Sequence, residues 1–413
     1  MNTRFLVESA QSGAETDATR FRLKGMLGAT EYASIEALFS RLAREVTAER
    51  LAGFRRGDGG SVTREAFSFL GGVGALGVGV PADRGGHGHG LTGSLAVTTL
   101  LAACDEGGLV LGANVQSEVA CSWLLRAEAD ICETHLPRLV SGQSIACQCD
   151  TDPSADEPTL AEVDGDEIVV TGIKHYVVNG DQADLCFVAA RMGPSPAIIL
   201  IDKSRPGVSV EKVWDKLGTR SIDSASIRFD AVRVPKSHLL SRHGLRQMIV
   251  WNEVMSRLRL SIAAAATIIH GCVLDGIMAH ASARRLGGRP LAAWPVNHHA
   301  LSQAAADEQL MIAGVAGAVR RLGRSPDVVS RVAQLKWFCV ERACDLARLA
   351  CDLEGGRGYM AESRSLGAYK TLRGMRMAGG SQTTMLTIAN HTLANQAETE
   401  PHTRPAAVEM EIA

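Results

Sequence analysis

The stretch that decides the fold runs from residue 168 to residue 201, IVVTGIKHYVVNGDQADLCFVAARMGPSPAIILI. Ile168-Val169-Val170, Leu185 to Ala190 and Ile198 to Ile201 are short runs rich in β-branched or apolar residues. Gly165-Asp166, Asn179-Gly180 and Gly193-Pro194 punctuate them. Strand-length apolar segments separated by turn residues predict a compact antiparallel β domain. No helix-length segment interrupts them, which argues against a parallel nucleotide-binding sheet. The domain is expected over residues 140–240.

Both flanks change period. Towards the N-terminus, Leu38, Phe39, Leu42 and Val46 recur at helical spacing among charged residues. Further helices are predicted over Glu65 to Leu70, Ser94 to Cys104 and Ser117 to Leu125. A glycine-rich stretch reaches Pro81 and continues as Gly85-Gly86-His87-Gly88-His89-Gly90. Towards the C-terminus, long Ala- and Leu-rich helices are predicted over Met248 to Ala283, Val296 to Leu322 and Val328 to Leu353. Helices of this kind pack as an antiparallel bundle. The expected organisation is a helical domain (1–139), the β domain (140–240), a helical bundle (241–395) and a polar tail (396–413) carrying Pro401 and Pro405.

The 413 residues are 46% hydrophobic, enough for a sizeable core, and carry a formal net charge of −2. That balance gives no reason to expect nucleic acid or an anionic membrane surface as a partner. No apolar run long enough to span a bilayer is read from the sequence. The first thirty residues mix Arg4, Arg20 and Arg22 with Glu8, Glu15 and Asp17, a pattern of neither a signal nor a transit peptide, so a cytoplasmic location is expected. Ten scattered cysteines show no paired metal spacing and read as buried reduced thiols, and no metal is expected.

Several motifs in this order resemble the acyl-CoA dehydrogenase family over residues 33–393. They are Gly79-Val80-Pro81 with Gly85-Gly86-His87-Gly88; Tyr176-Val177-Val178-Asn179-Gly180; and Lys216-Leu217-Gly218-Thr219-Arg220-Ser221 through Phe229 to Val234-Pro235. Then follow His280-Ala281-Ser282-Ala283-Arg284 with Gly288-Arg289-Pro290-Leu291, and Leu353-Glu354-Gly355-Gly356-Arg357-Gly358-Tyr359. The resemblance implies an N-terminal helical domain, a barrel-like middle β domain and a C-terminal four-helix bundle, assembled as a homodimer or homotetramer. It also implies FAD held between β domain and bundle, with a neighbouring subunit completing the site.

The residues at the matching positions suit such a cofactor unevenly. Arg284 aligns with the family's pyrophosphate-binding arginine, and Gly355 and Gly356 leave backbone N–H groups open to a phosphate. Gln382 aligns with a polar residue near the cofactor. Asp352 replaces a glutamine and would repel a pyrophosphate if it faced one. The flavin ring is expected against Cys149, Asp150 and Tyr176, the last replacing a tryptophan. Val178 takes the place of a threonine whose hydroxyl serves the N5 side of the ring, and Ala155 that of a serine.

The sharpest departure is the base. Dehydrogenation of an acyl thioester requires removal of a weakly acidic α-proton while a hydride leaves the β-carbon, and the family uses a positioned glutamate. In Met377-Ala378-Gly379-Gly380-Ser381-Gln382, Ala378 occupies that position, and no acid occurs between Glu362 and Glu398. The family's second base position, one residue before Arg259, holds Leu258. Glu253 lies five residues away, about 140° around the helix. Arg259, Ala378 and Gly379 are expected to line the substrate cleft. Asp150, His298 and His299 are the candidate replacement bases. The sequence thus points to an FAD-dependent oxidoreductase of an acyl thioester, carried on coenzyme A or an acyl carrier protein, with a non-standard or absent base. Two alternatives stand beside it: a flavin-dependent monooxygenase or non-oxidative thioester-modifying enzyme, and a non-catalytic subunit or acyl-binding partner of an active homologue.

Overall fold

The computed structural model describes residues 14–57, 60–193, 195–241, 245–325 and 327–399. The predicted order of helices, β domain and helices holds. Most of the stretch read as a polar tail, 400–413, lies outside the described residues, while 396–399 continue a helix.

The N-terminal domain begins with α1 (Ala14–Leu27) and α2 (Ala29–Glu45), joined at Gly28. Tyr32, Ile35, Leu38, Phe39 and Leu42 form the buried face of α2, the stripe seen in the sequence. Then come α3 (Ala48–Ala52), α4 (Arg64–Gly72) and α5 (Gly90–Ala103). The next helix, α6 (Gly107–Asn114), was not anticipated, because its Gly-Gly start reads as a loop. It passes through a π-helical turn, Val115–Ala120, into α7 (Cys121–Leu124), and α8 (Ala129–Val140) follows. Two glycines let α6 lie flush on the β domain. A Cβ at Gly108 would stand 2.3 Å from Ser221 Oγ, and one at Gly112 would stand 2.7 Å from Asn179 Oδ1.

The β domain comprises β1 (Ala146–Cys149), β2 (Leu160–Asp164), β3 (Glu167–Val178), β4 (Leu185–Met192), β5 (Ser195–Asp202), β6 (Val208–Val213) and β7 (Ser224–Pro235). Its order is β1-β4-β2-β3-β7-β6, with β5 added to β4. The pairings β2–β3, β3–β7, β4–β5 and β6–β7 are antiparallel, while β1 lies parallel to β4. Gly165-Asp166 is the two-residue turn between Asp164 and Glu167. A register shift between Lys174 and Val177 puts Tyr176 at φ +57 and turns its ring outward.

The C-terminal domain is a bundle of α9 (Leu245–Ala283), α10 (Pro295–Arg321), α11 (Val328–Glu354) and α13 (Gln382–Thr399), with α12 (Arg364–Met375) ahead of the last helix. A small hairpin, β8 (Arg285–Leu286) and β9 (Arg289–Pro290), follows α9. Contrary to the sequence reading, Met248–Ala283 is long and apolar enough to cross a bilayer, an 18-residue stretch within it having mean hydropathy 1.7. Yet 67% of that stretch is buried in protein, because α9 is the spine against which α5, α10 and α11 pack. Ion pairs with a buried member on the N-terminal side bind α9 and α10 to that domain. Arg22 of α1 donates to Asp275 Oδ1 at 2.9 Å and to Glu308 Oε1 at 2.6 Å, and Arg257 donates to the buried Glu118 of the π turn at 2.6 Å. Removing one partner of such a pair would strand the other charge. Seven of the ten cysteines are buried.

Candidate functional site

Two groups of residues make up the candidate site, the end of β1 with the bulge of β3, and α9 with the loop between α12 and α13; Asp150 and Arg259 link them electrostatically. That loop, Ala378-Gly379-Gly380, is fixed from behind by two cations. Arg259 of α9, buried, donates from Nε to Gly379 O at 2.9 Å. Lys336 of α11, fully buried, donates to Gly380 O at 2.9 Å, Arg376 O at 3.1 Å and Gln382 Oε1 at 2.8 Å. Burial pushes the Lys336 ammonium down to about 7, with the nearby Arg259 adding to the effect. Gly379 at φ +66 and Gly380 at φ +104 adopt backbone conformations that suit glycine, so the loop turns sharply under Ala378. Ala378 packs partly buried against the main core, and Leu258 is buried in it. Both positions expected of the family's base are therefore apolar in space as well as in sequence.

The opposite wall carries a carboxylate. On β1, side chains alternate. Cys147 and Cys149 enter the core of the β domain, while Gln148 and Asp150 are partly accessible on the other side. Gln148 Nε2 donates to Asp150 Oδ1 at 2.6 Å. Lys174, buried on β3, donates to Asp150 O at 3.1 Å and Asp152 Oδ1 at 2.7 Å, which pins the turn after β1. Burial raises Asp150 to about 6 against the opposing effects of Gln148, Lys174 and Arg259. Burial likewise lowers the Arg259 guanidinium, and the Asp150 charge raises it, so the two groups sense one another between β domain and bundle.

Tyr176 stands on its bulge 60% exposed, its ring 5.0 Å from Trp214 and 5.8 Å from His175. Ser226 Oγ accepts from Trp214 Nε1 at 3.0 Å and pairs with His175 Nδ1 at 2.7 Å, holding the platform rigid. Val178, two residues on, packs partly buried against the main core. Arg284, at the end of α9, is exposed, as are Gly355 and Gly356 at the end of α11. Gly355 adopts φ +63, and nothing lies within 4 Å of a Cβ built on either glycine. The turn beyond them is fixed by Glu354, which accepts from Ser363 at 2.8 Å and Ser365 at 2.7 Å. Asp352 is exposed and leans towards Arg348 of the previous turn.

Three expectations fail on this geometry. Cys149 faces the β core, so its side chain is turned away from the cleft. Gln382 is buried, donating to Trp337 O at 3.1 Å and Glu341 Oε1 at 2.8 Å while accepting from Lys336; its amide ties α13 to α11. His298 and His299 are exposed in the first turn of α10 beyond the small hairpin. Glu253, as expected, faces elsewhere and pairs with Arg126 at 3.0 Å. Sequence reasoning missed Gln148, Lys174 and Lys336. A signal for Lys336 existed, since it sits at i+4 spacing between Val332 and Val340 on an otherwise apolar stripe.

These residues fit FAD. Gln148 Oε1 is buried without a hydrogen-bond partner, the mark of a polar site made for a ligand. Tyr176 offers an open aromatic face. Arg284 and the bare Gly355-Gly356 backbone offer donors suited to a pyrophosphate. A concavity of about 680 Å³ lies elsewhere, on the N-terminal domain between Arg41, His87 and Ser141, and touches none of these residues.

Comparison with known proteins agrees along the chain. The sequence matches the acyl-CoA dehydrogenase N-terminal domain over residues 31–143, the middle domain over 148–232 and the C-terminal domain over 246–394. It is 28% identical over 352 residues to a probable acyl-CoA dehydrogenase of Bacillus subtilis, covering 81% of this chain and 91% of that protein. It is 27% identical over 318 residues to cyclohexane-1-carbonyl-CoA dehydrogenase of Geobacter metallireducens, covering 73% and 82%. Among solved structures it resembles a putative acyl-CoA dehydrogenase of Mycobacterium smegmatis with TM-score 0.80 and 26% identity, covering 88% of this chain and 98% of that one. A glutaryl-CoA dehydrogenase of the same organism, solved with FADH2, shares the fold at TM-score 0.74 and 19% identity, covering 97% and 98%.

Proposed function

This chain belongs to the acyl-CoA dehydrogenase family, and from that membership we propose that it binds FAD and oxidises an acyl thioester with Asp150 in place of the usual glutamate. One observation carries the reading. A carboxylate raised to about 6 sits across from Arg259, where the cleft otherwise offers only Ala378 and Leu258.

Bound FAD would supply the acceptor for the hydride that leaves the acyl β-carbon. The protein's own groups do the rest. Tyr176, Gln148 and the β1 edge would seat the ring; Arg284 and the Gly355-Gly356 backbone, both on the surface, would hold a pyrophosphate offered by a neighbouring subunit in a homo-oligomer. Asp150 would accept the α-proton. A base near 6 is ionised at neutral pH and strong enough to be useful, whereas one near the ordinary 3.8 would be weaker. Arg259 would favour the carboxylate before transfer and, through Gly379 O, fix the loop that closes the far side of the cleft. Arg259 behind that loop, joined by Lys336 where it is protonated, also leaves it electropositive, which suits a thioester carbonyl gaining negative charge. The acyl group would be presented on coenzyme A or on a carrier protein.

Anaerobic addition of acyl-CoA thioesters to the purified protein tests the reading: the flavin band should bleach. A yellow protein that never bleaches but consumes oxygen with a flavin reductase would favour hydroxylation. A colourless protein that co-purifies with a homologue would favour a non-catalytic subunit.

A further inference from the structure

The core of the β domain holds a feature that the cleft chemistry does not use. Cys147 and Cys149 project from β1 into the same interior, and Cys186 of β4 is the register partner of Cys147. Cys147 Sγ lies 3.7 Å from Cys149 Sγ and 3.5 Å from Cys186 Sγ, and all three sulfurs lie within 4.8 Å of one another. Each residue is fully buried, in a cluster otherwise made of Val177, Val188, Ile199 and similar side chains. Three sulfurs bonded at about 2.3 Å to a pyramidal trivalent centre, with angles near 95–100°, stand roughly 3.4–3.5 Å apart, so the triangle is nearly closed before any ligand enters.

The surroundings decide which centre suits it. Zinc asks for a fourth donor, and no fourth His, Cys, Asp or Glu joins the group among the described residues. Zinc on three thiolates would also leave net charge −1, and a cuprous ion on three thiolates −2, in an apolar interior where unpaired charge is costly. Asp202 and Lys203, which act on Cys186, are opposite in sign, and Asp150, which acts on Cys149, adds only negative charge, so an anionic centre finds no net compensation. A trivalent centre on three thiolates is neutral.

We propose that Cys147, Cys149 and Cys186 form a buried site for trivalent arsenic, taken up as arsenite. One arsenous acid and three thiols give one tris-thiolate arsenic and three waters. Three As–O and three S–H bonds break, three As–S and three O–H bonds form, and arsenic stays trivalent with no oxidant required. Arsenous acid is uncharged and small, so entry needs only local opening of the domain; uptake is slow in the native state and fast during refolding.

The full-length protein is incubated with sodium arsenite, both in the native state and during refolding from denaturant, then desalted. Arsenic is measured by elemental analysis and free thiols are counted after unfolding. The site predicts one arsenic per chain, three thiols lost per arsenic and a raised unfolding midpoint. Cys186→Ala and, separately, Cys147→Ala abolish stoichiometric retention, while Cys339→Ala, a buried cysteine of the bundle, does not. The thiol count on unsubstituted protein stands even if a variant folds poorly. No retained arsenic after either treatment, retention unchanged in Cys186→Ala, or preferential retention of zinc or cuprous ion would overturn the proposal.

Discussion

Replacing Asp150 by Asn separates the proposed base from its structural surroundings. The amide oxygen can still accept from Gln148, so the packing of β1 is kept. Two effects of opposite sign follow. Catalytically, loss of a general base costs about 10²- to 10⁴-fold in rate. For stability the sign reverses. Asp150 is raised from 3.8 to about 6, so the fold favours its protonated form. The ionised group therefore weakens the wild type as pH rises from about 4 through 6. The full difference corresponds to about 3 kcal/mol, and partial solvent access brings the expected figure to about 1–2 kcal/mol. The Asn variant should thus be more stable than wild type at pH 8 and equal to it below pH 4, while bleaching its flavin at least about 100-fold more slowly. Urea unfolding at several pH values and stopped-flow anaerobic bleaching read the two effects. A variant that bleaches at the wild-type rate would refute the assignment. Equal stability of the two proteins at pH 8 would refute the reading of the environment.

Other expectations follow from the same geometry. Ala378→Glu places a carboxylate beside Arg259 in the family's own position and should rescue bleaching in the Asp150→Asn background by about tenfold or more, measured in the same stopped-flow assay. Lys336→Met strands Gly380 O, Arg376 O and Gln382 Oε1 and should cost about 2–4 kcal/mol by urea unfolding; a loss under 1 kcal/mol would mean that water takes over. Arg284→Ala should weaken FAD retention by about 10- to 100-fold while leaving the unfolding midpoint of the FAD-free protein unchanged, as flavin fluorescence and calorimetry would show. Gly112→Val should push α6 off Asn179 and cost more than about 2 kcal/mol.

The fold was legible because its signals were local and periodic. The Gly165-Asp166 turn, the buried stripe of α2 and the long helices α9, α10 and α11 all appear where pattern placed them. α6 escaped notice because glycines chosen for close approach to the β domain look like loop residues in one dimension. The site was legible only in part. That Ala378 and Leu258 are apolar could be read directly. That β1 turns Cys149 inward and Asp150 outward depends on strand phase, which a four-residue strand barely specifies. Gln382 was misread because its partners, Lys336 and Glu341, are more than 40 residues away in sequence. The cysteine trio is likewise a product of pairing between β1 and β4, separated by a hairpin, and no spacing rule would join Cys186 to the other two.

A flavin beside the Asp150 carboxylate, which burial raises to about 6, is what the proposed chemistry requires. The most direct measurement is the rate of anaerobic bleaching of the purified protein by an acyl-CoA thioester at pH 5 and at pH 8. With Asp150 near 6, ionisation is about one-tenth complete at pH 5 and nearly complete at pH 8, so the rate should rise about tenfold between them. Equal rates at the two pH values, or a protein that carries no flavin to bleach, would contradict it.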